Sequence, residues 1–279
     1  MDTLVSREWV RERLGEPGVV ILDATLPPVG VTPPVDTRAR YRECHIPGAV
    51  FFDIDELSDH TTRLPHMLPS PESFAQSMEK LGVGHTMTII VYEQGELFSA
   101  PRAWWMLRTF GAQHVYVLDG GLRAWISAGF PTDGDDVHRP AAVFQAQFDA
   151  NAVRSLGDVQ RTIRDGGQIL DARSAARFSG VASEPRPGIR SGHMPGAINV
   201  PYAELLHNGG LKSADELRNE FKARGVDLGK VVITSCGSGV TAAVLLLALE
   251  AAGSKDVSLY DGSWAEYAQD PAALIETGD

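Results

Sequence analysis

Apolar positions along this chain fall into two alternating patterns. Short continuous runs such as "TIIVY" (Thr88–Tyr92) and "VVITS" (Val231–Ser235) have no polar face. They predict strands buried on both sides. Between them lie longer stretches with helical periodicity or an aliphatic block. In the first half the pattern predicts strands at Val20–Leu22, Thr88–Tyr92 and Val115–Leu118, with helices at Pro71–Leu81 and Ala100–Phe110. In the second half it predicts strands at Gln168–Asp171, Val231–Ser235 and Val257–Tyr260. Helices are expected at Asp215–Arg224, with Ser213 as N-cap and Gly225 just past its end, and at Thr241–Ala252, ending at Gly253. The opening stretch reads as a short amphipathic helix capped by Ser6. Short apolar strands alternating with helices imply an α/β fold, with a parallel sheet covered on both faces.

The pattern occurs twice. "ILDAT" (Ile21–Thr25) returns as "ILDAR" (Ile169–Arg173), and "CHIPGAVFFD" (Cys44–Asp53) as "GHMPGAINVP" (Gly192–Pro201). Asp23 and Asp171 are 148 positions apart, and so are His45 and His193. "YVLDGGLRAW" (Tyr116–Trp125) is echoed by "SLYDGSWAEY" (Ser258–Tyr267). Agreement in order and spacing identifies two copies of one domain, placed at residues 1–135 and 154–279. Residues 136–153 form a polar linker between them, within a stretch that opens on Pro and Gly.

Charge narrows the function classes. The chain of 279 residues carries 25 Lys and Arg against 36 Asp and Glu, a formal net charge of −11. No basic stripe appears, so a nucleic-acid surface is not expected. The start lacks the apolar core of a signal peptide, and the longest aliphatic stretch, Val244–Leu249, is far too short to span a bilayer. The expected location is the cytoplasm. The two cysteines, Cys44 and Cys236, are expected as free thiols, too few for a zinc site by themselves.

Cys236 stands where an apolar strand should end and a helix begin, in "CGSGVT" (Cys236–Thr241). Open α/β sheets keep their chemistry at the carboxyl ends of strands. Gly237 and Gly239 are expected to allow positive φ and let successive N–H groups turn inward, which with a helix N-terminus favours a thiolate. A packed core cysteine would not require such a loop. A cysteine phosphatase would need an arginine six positions after the nucleophile, where this chain has Ala242. The first repeat sets Glu93 opposite Cys236, so it should lack sulfur chemistry. His45 and His193, present in both copies, are expected to be structural.

The tandem halves, "CGSGVTA" and "YDGSW" together resemble the two-domain rhodanese superfamily of sulfurtransferases over essentially the whole chain. The loop has the form found in members that use 3-mercaptopyruvate; members that use thiosulfate typically carry Arg and Lys where this chain has Gly237 and Ser238. The resemblance implies two rhodanese-like domains and a Cys236 persulfide that passes sulfur to a thiol, a thioredoxin-like protein or cyanide. It implies no metal or organic cofactor. By the same resemblance Ser238, His66 and Asp55 complete a catalytic set with Cys236. Arg177, Arg186, Gly237, Gly239, Val240 and Thr241 bind the substrate. Two alternatives remain: thiosulfate as donor, or a non-catalytic carrier or binding module.

Overall fold

The computed structural model describes residues 3–27, 31 and 33–278. They form two compact units. One comprises residues through 59 with 68–149 and 208–211; the other comprises 60–67, 150–207 and 212–279.

The first unit holds strands β1 (Leu4–Val5), β2 (Val19–Asp23), β3 (Val50–Phe51), β4 (Thr88–Tyr92) and β5 (His114–Leu118). They build one parallel sheet in the order β1-β5-β4-β2-β3. Its helices are α1 (Arg7–Glu12), α2 (Thr37–Glu43), α3 (Pro71–Lys80), α4 (Ala100–Thr109) and α5 (Gly121–Ser127). Ser6 caps α1 by accepting the Trp9 N–H at 3.2 Å. Phe74 of α3 stacks on Phe110 and meets Phe144 edge-on, which seats the 131–149 segment against this unit's own helices.

The second unit repeats the plan. Strands β6 (Val153–Arg154), β7 (Gln168–Asp171), β8 (Ile198–Asn199), β11 (Val232–Ser235) and β12 (Val257–Tyr260) form a parallel sheet in the order β6-β12-β11-β7-β8. This is the first sheet's order under the repeat. Two further short strands, β9 (Leu206–His207) and β10 (Gly210–Leu211), lie outside both five-stranded sheets. The helices are α6 (Leu156–Arg164), α7 (Ala175–Phe178), α8 (Ala214–Ala223), α9 (Ala242–Ala252) and α10 (Ser263–Tyr267). Ser213 and Glu216 close a capping box at the start of α8, an arrangement worth about 1 kcal/mol. Helix α9, "AAVLLLALEAA", is buried over nearly every residue, as an all-apolar helix must be. Gly253 ends it in the left-handed conformation at φ 103°.

The repeated histidines are structural. The Nδ1 of His45 bonds the Tyr41 carbonyl at 2.8 Å and that of His193 bonds the Phe178 carbonyl at 2.9 Å; each ring stacks on the aromatic side chain of the same partner.

Candidate active site

Strand β11 is the middle strand of its sheet, and Cys236 is the first residue beyond it. The turn from Cys236 to Thr241 joins β11 to α9. Cys236, Ser238, Val240 and Thr241 are all buried there. The two glycines differ in purpose. Gly239 sits at φ 78°, where side chains are strained. Gly237, expected to share that conformation, does not take positive φ; it is needed for space. A Cβ on it would lie 2.7 Å from Nη2 of Arg177.

That guanidinium is held in place. Arg177 donates from Nε and Nη2 to the two oxygens of Glu184, at 3.2 and 2.5 Å. Glu184, whose side chain is only 5% exposed, also accepts from Nη1 of Arg173 at 2.8 Å. Arg173 is fully buried, grips Asp171 through Nε and Nη2, bonds the Gly192 carbonyl and lies over the Trp264 ring. Burial opposes the Arg173 charge, but Asp171 and Glu184 outweigh it and hold its pKa above the usual value. Two cations and two carboxylates thus alternate from the end of β7 to the cysteine turn, with little net charge left over. Arg186 lies in the same 179–188 loop and is half-buried.

His66 comes from the 60–67 segment, which packs with the second unit. Its Nδ1 and the Ser238 Oγ share a hydrogen bond of 3.0 Å, both residues being buried. His66 adopts φ 59°, an uncommon conformation for any residue with a side chain. Asp55 belongs to the first unit, where it is exposed and its carbonyl accepts the Ser58 N–H.

The first unit shows what replaces the cysteine. Glu93 follows β4 as Cys236 follows β11, and the Leu122 N–H donates to its carbonyl as the Trp264 N–H donates to that of Cys236, both at 2.9 Å. The Glu93 carboxylate folds back into its own turn. It accepts the N–H groups of Phe98, Ser99 and Ala100 and the Ser99 hydroxyl, at 2.7 to 3.1 Å. Burial pushes its pKa up to about 7, against the pull of those donors. An acid stands at the position where the other repeat has a cysteine.

The sequence reading missed Glu184 and Arg173. The only signal was the step from "ILDAT" to "ILDAR", which adds a cation beside a buried Asp in one repeat alone.

Comparison with known proteins agrees with this geometry. The family model described as rhodanese-like domain matches residues 6–128 and 155–270. The 3-mercaptopyruvate sulfurtransferase of Escherichia coli K12 is 49% identical over 264 residues, covering 94% of each chain. The human 3-mercaptopyruvate sulfurtransferase is 42% identical over 275 residues, covering 95% of this chain and 91% of the relative. The crystal structure of Escherichia coli SseA, described as a 3-mercaptopyruvate sulfotransferase with the rhodanese fold, superposes with a TM-score of 0.88 at 47% identity. That match covers 95% of this chain and 99% of the other. Two parallel sheets of one strand order, a cysteine turn in the second and matches in both repeats together place this chain in the rhodanese-like family.

Proposed function

We propose that this protein is a sulfurtransferase that takes sulfur from 3-mercaptopyruvate onto Cys236 and hands it to a thiol. The observation that carries the reading is a buried cysteine turn with a guanidinium fixed over its first glycine. The near-full-length likeness to 3-mercaptopyruvate sulfurtransferases supports it.

The chemistry follows from these groups. The Cys236 thiolate attacks the thiol sulfur of the donor. A sulfur–sulfur bond forms, the carbon–sulfur bond breaks, and the electron pair leaves on carbon as the enolate of pyruvate. A proton then converts the enolate to pyruvate. Arg177 and Arg186 bind the donor carboxylate, for which paired guanidinium donors are suited. Because Glu184 occupies the Nε–Nη2 edge of Arg177, the Nη1 edge serves the substrate. The peptide groups of Gly237, Gly239, Val240 and Thr241 and the start of α9 stabilise negative charge on sulfur. His66 and Ser238, hydrogen-bonded to each other, move the proton between donor thiol and enolate. An acceptor thiolate, from a small thiol or a thioredoxin-like protein, then attacks the outer sulfur of the persulfide and regenerates Cys236. Both cysteines are free, which suits a reducing cytoplasm. No helix among the described residues is long and apolar enough to cross a membrane.

The test is steady-state transfer to cyanide from 3-mercaptopyruvate and from thiosulfate, with wild type and Cys236→Ser. The expected result is a kcat/KM for 3-mercaptopyruvate higher by about two orders of magnitude or more, with the variant inactive. A preference for thiosulfate would overturn the donor, and an active Cys236→Ser would overturn the nucleophile.

A further inference from the structure

Ser263 is the first residue of α10, fully buried, and one of few residues with a side chain held at positive φ, here 49°. Such a conformation persists only where the surroundings enforce it. Its side chain makes a pair of hydrogen bonds there. The Ser263 Oγ accepts the Cys236 N–H at 3.2 Å and donates to the Tyr260 carbonyl at 2.9 Å. The next two residues continue the attachment: the Trp264 N–H donates to the Cys236 carbonyl at 2.9 Å and the Ala265 N–H to the Gly237 carbonyl at 3.0 Å.

Three of these four bonds, at the Cys236 N–H and at the Cys236 and Gly237 carbonyls, fix three successive peptide planes. In a trans peptide the C=O and N–H point in opposite directions. With the Cys236 and Gly237 carbonyls turned onto α10, the N–H groups of Gly237 and Ser238 face away from it. On the strand side, the Ser235 carbonyl accepts the Ala172 N–H at 2.9 Å, which places the Cys236 N–H toward Ser263.

The first repeat lacks this anchor. At the matching position Gly121 takes φ 55°, and a Cβ there would lie 2.3 Å from the Glu93 carbonyl oxygen. The Leu122 N–H still meets that carbonyl, as the Ala24 N–H still meets the Tyr92 carbonyl. Turn and helix are shared, while the hydroxyl occurs only where the turn carries a cysteine.

We propose that Ser263 is a positioning residue for Cys236: its hydroxyl holds the Cys236 N–H and so locks the peptide that carries the reacting sulfur, beside the two carbonyls that the α10 backbone already holds. The proposal rests on the sulfur-transfer reading and deepens it. A serine at this φ gives up conformational ease that glycine would offer. The return is a reactive turn whose peptide planes are set before substrate arrives.

The experiment uses the full-length chain in a Cys44→Ser background, so that alkylation reports on Cys236 alone. Ser263→Gly removes the hydroxyl and relieves the backbone; Ser263→Ala removes the hydroxyl and keeps the strain. Three quantities are read: the rate of alkylation by iodoacetamide, kcat and KM with 3-mercaptopyruvate, and the thermal midpoint. In Ser263→Gly the midpoint should hold or rise while kcat falls about tenfold, KM changes less than about twofold and alkylation slows. Ser263→Ala should show the same kcat loss with a lower midpoint. A Ser263→Gly enzyme with kcat and alkylation rate within about twofold of the parent would overturn the proposal. So would a loss of activity that only tracks loss of folded protein. If the parent itself transfers no sulfur from 3-mercaptopyruvate, the functional reading fails, and the alkylation rates still decide the role of Ser263.

Discussion

Glu93 should make the first unit lose stability as the solution is brought from acid to neutral. In the folded chain its carboxyl titrates near 7, raised by burial from an ordinary value of 4.5. Between those two values the folded state holds a proton that the unfolded state has released. Stability from this group is therefore complete below about pH 4.5 and is lost as the pH rises through about 7. At about 1.4 kcal/mol for each pH unit between the two values, the loss amounts to about 3 kcal/mol. Glu93→Gln keeps one acceptor for the surrounding N–H groups and cannot ionise, so it should lack this dependence. The assay is urea unfolding of both proteins from pH 4 to 8, followed by tryptophan emission. Four of the five tryptophans, Trp9, Trp104, Trp105 and Trp125, belong to the first unit, so the signal reports mainly there. Asp23 and Asp119, also raised by burial, cancel in the difference between the two proteins. The variant should gain on the wild type by about 3 kcal/mol across the window. A flat difference curve would refute the reasoning. A slope of opposite sign would mean that the N–H donors around the carboxylate outweigh its burial.

Two further outcomes follow from the second unit. Glu184→Gln leaves both Arg173 and Arg177 short of a partner, so it should cost about 3 kcal/mol in denaturant and raise KM for 3-mercaptopyruvate more than it lowers kcat. His66→Ala and Ser238→Ala should each lower kcat, and the double variant should be little worse than either. That coupling, about 1–2 kcal/mol in a double-mutant cycle, would be absent if the 3.0 Å contact had no part in turnover.

Much of the scaffold was legible because its strands are apolar runs with abrupt polar ends. Thr88–Tyr92, Gln168–Asp171 and Val257–Tyr260 were readable to the residue. The edge strands Leu4–Val5 and Val153–Arg154 were not. Two residues carry no period, and only pairing with β5 and β12 makes them strands. The position of Cys236 between a strand and a helix was legible because a cysteine in a glycine turn has a local signature. Glu184 and Ser263 were not, because their meaning lies in bonds to residues 11 and 27 positions away. Gly237 was recognised as special, but for its backbone freedom. The structure shows instead a position kept small by a neighbouring guanidinium.

On the proposed function, the buried acid in the first repeat also sets how much sulfur a molecule should carry. A chain with two like turns invites the expectation of two loading points. Because Glu93 has taken up the donors of its own turn, only one remains for a visiting atom. Saturating donor in the absence of acceptor should therefore deposit a single cyanide-labile sulfur per chain. Two copies of the fold would then serve one cargo.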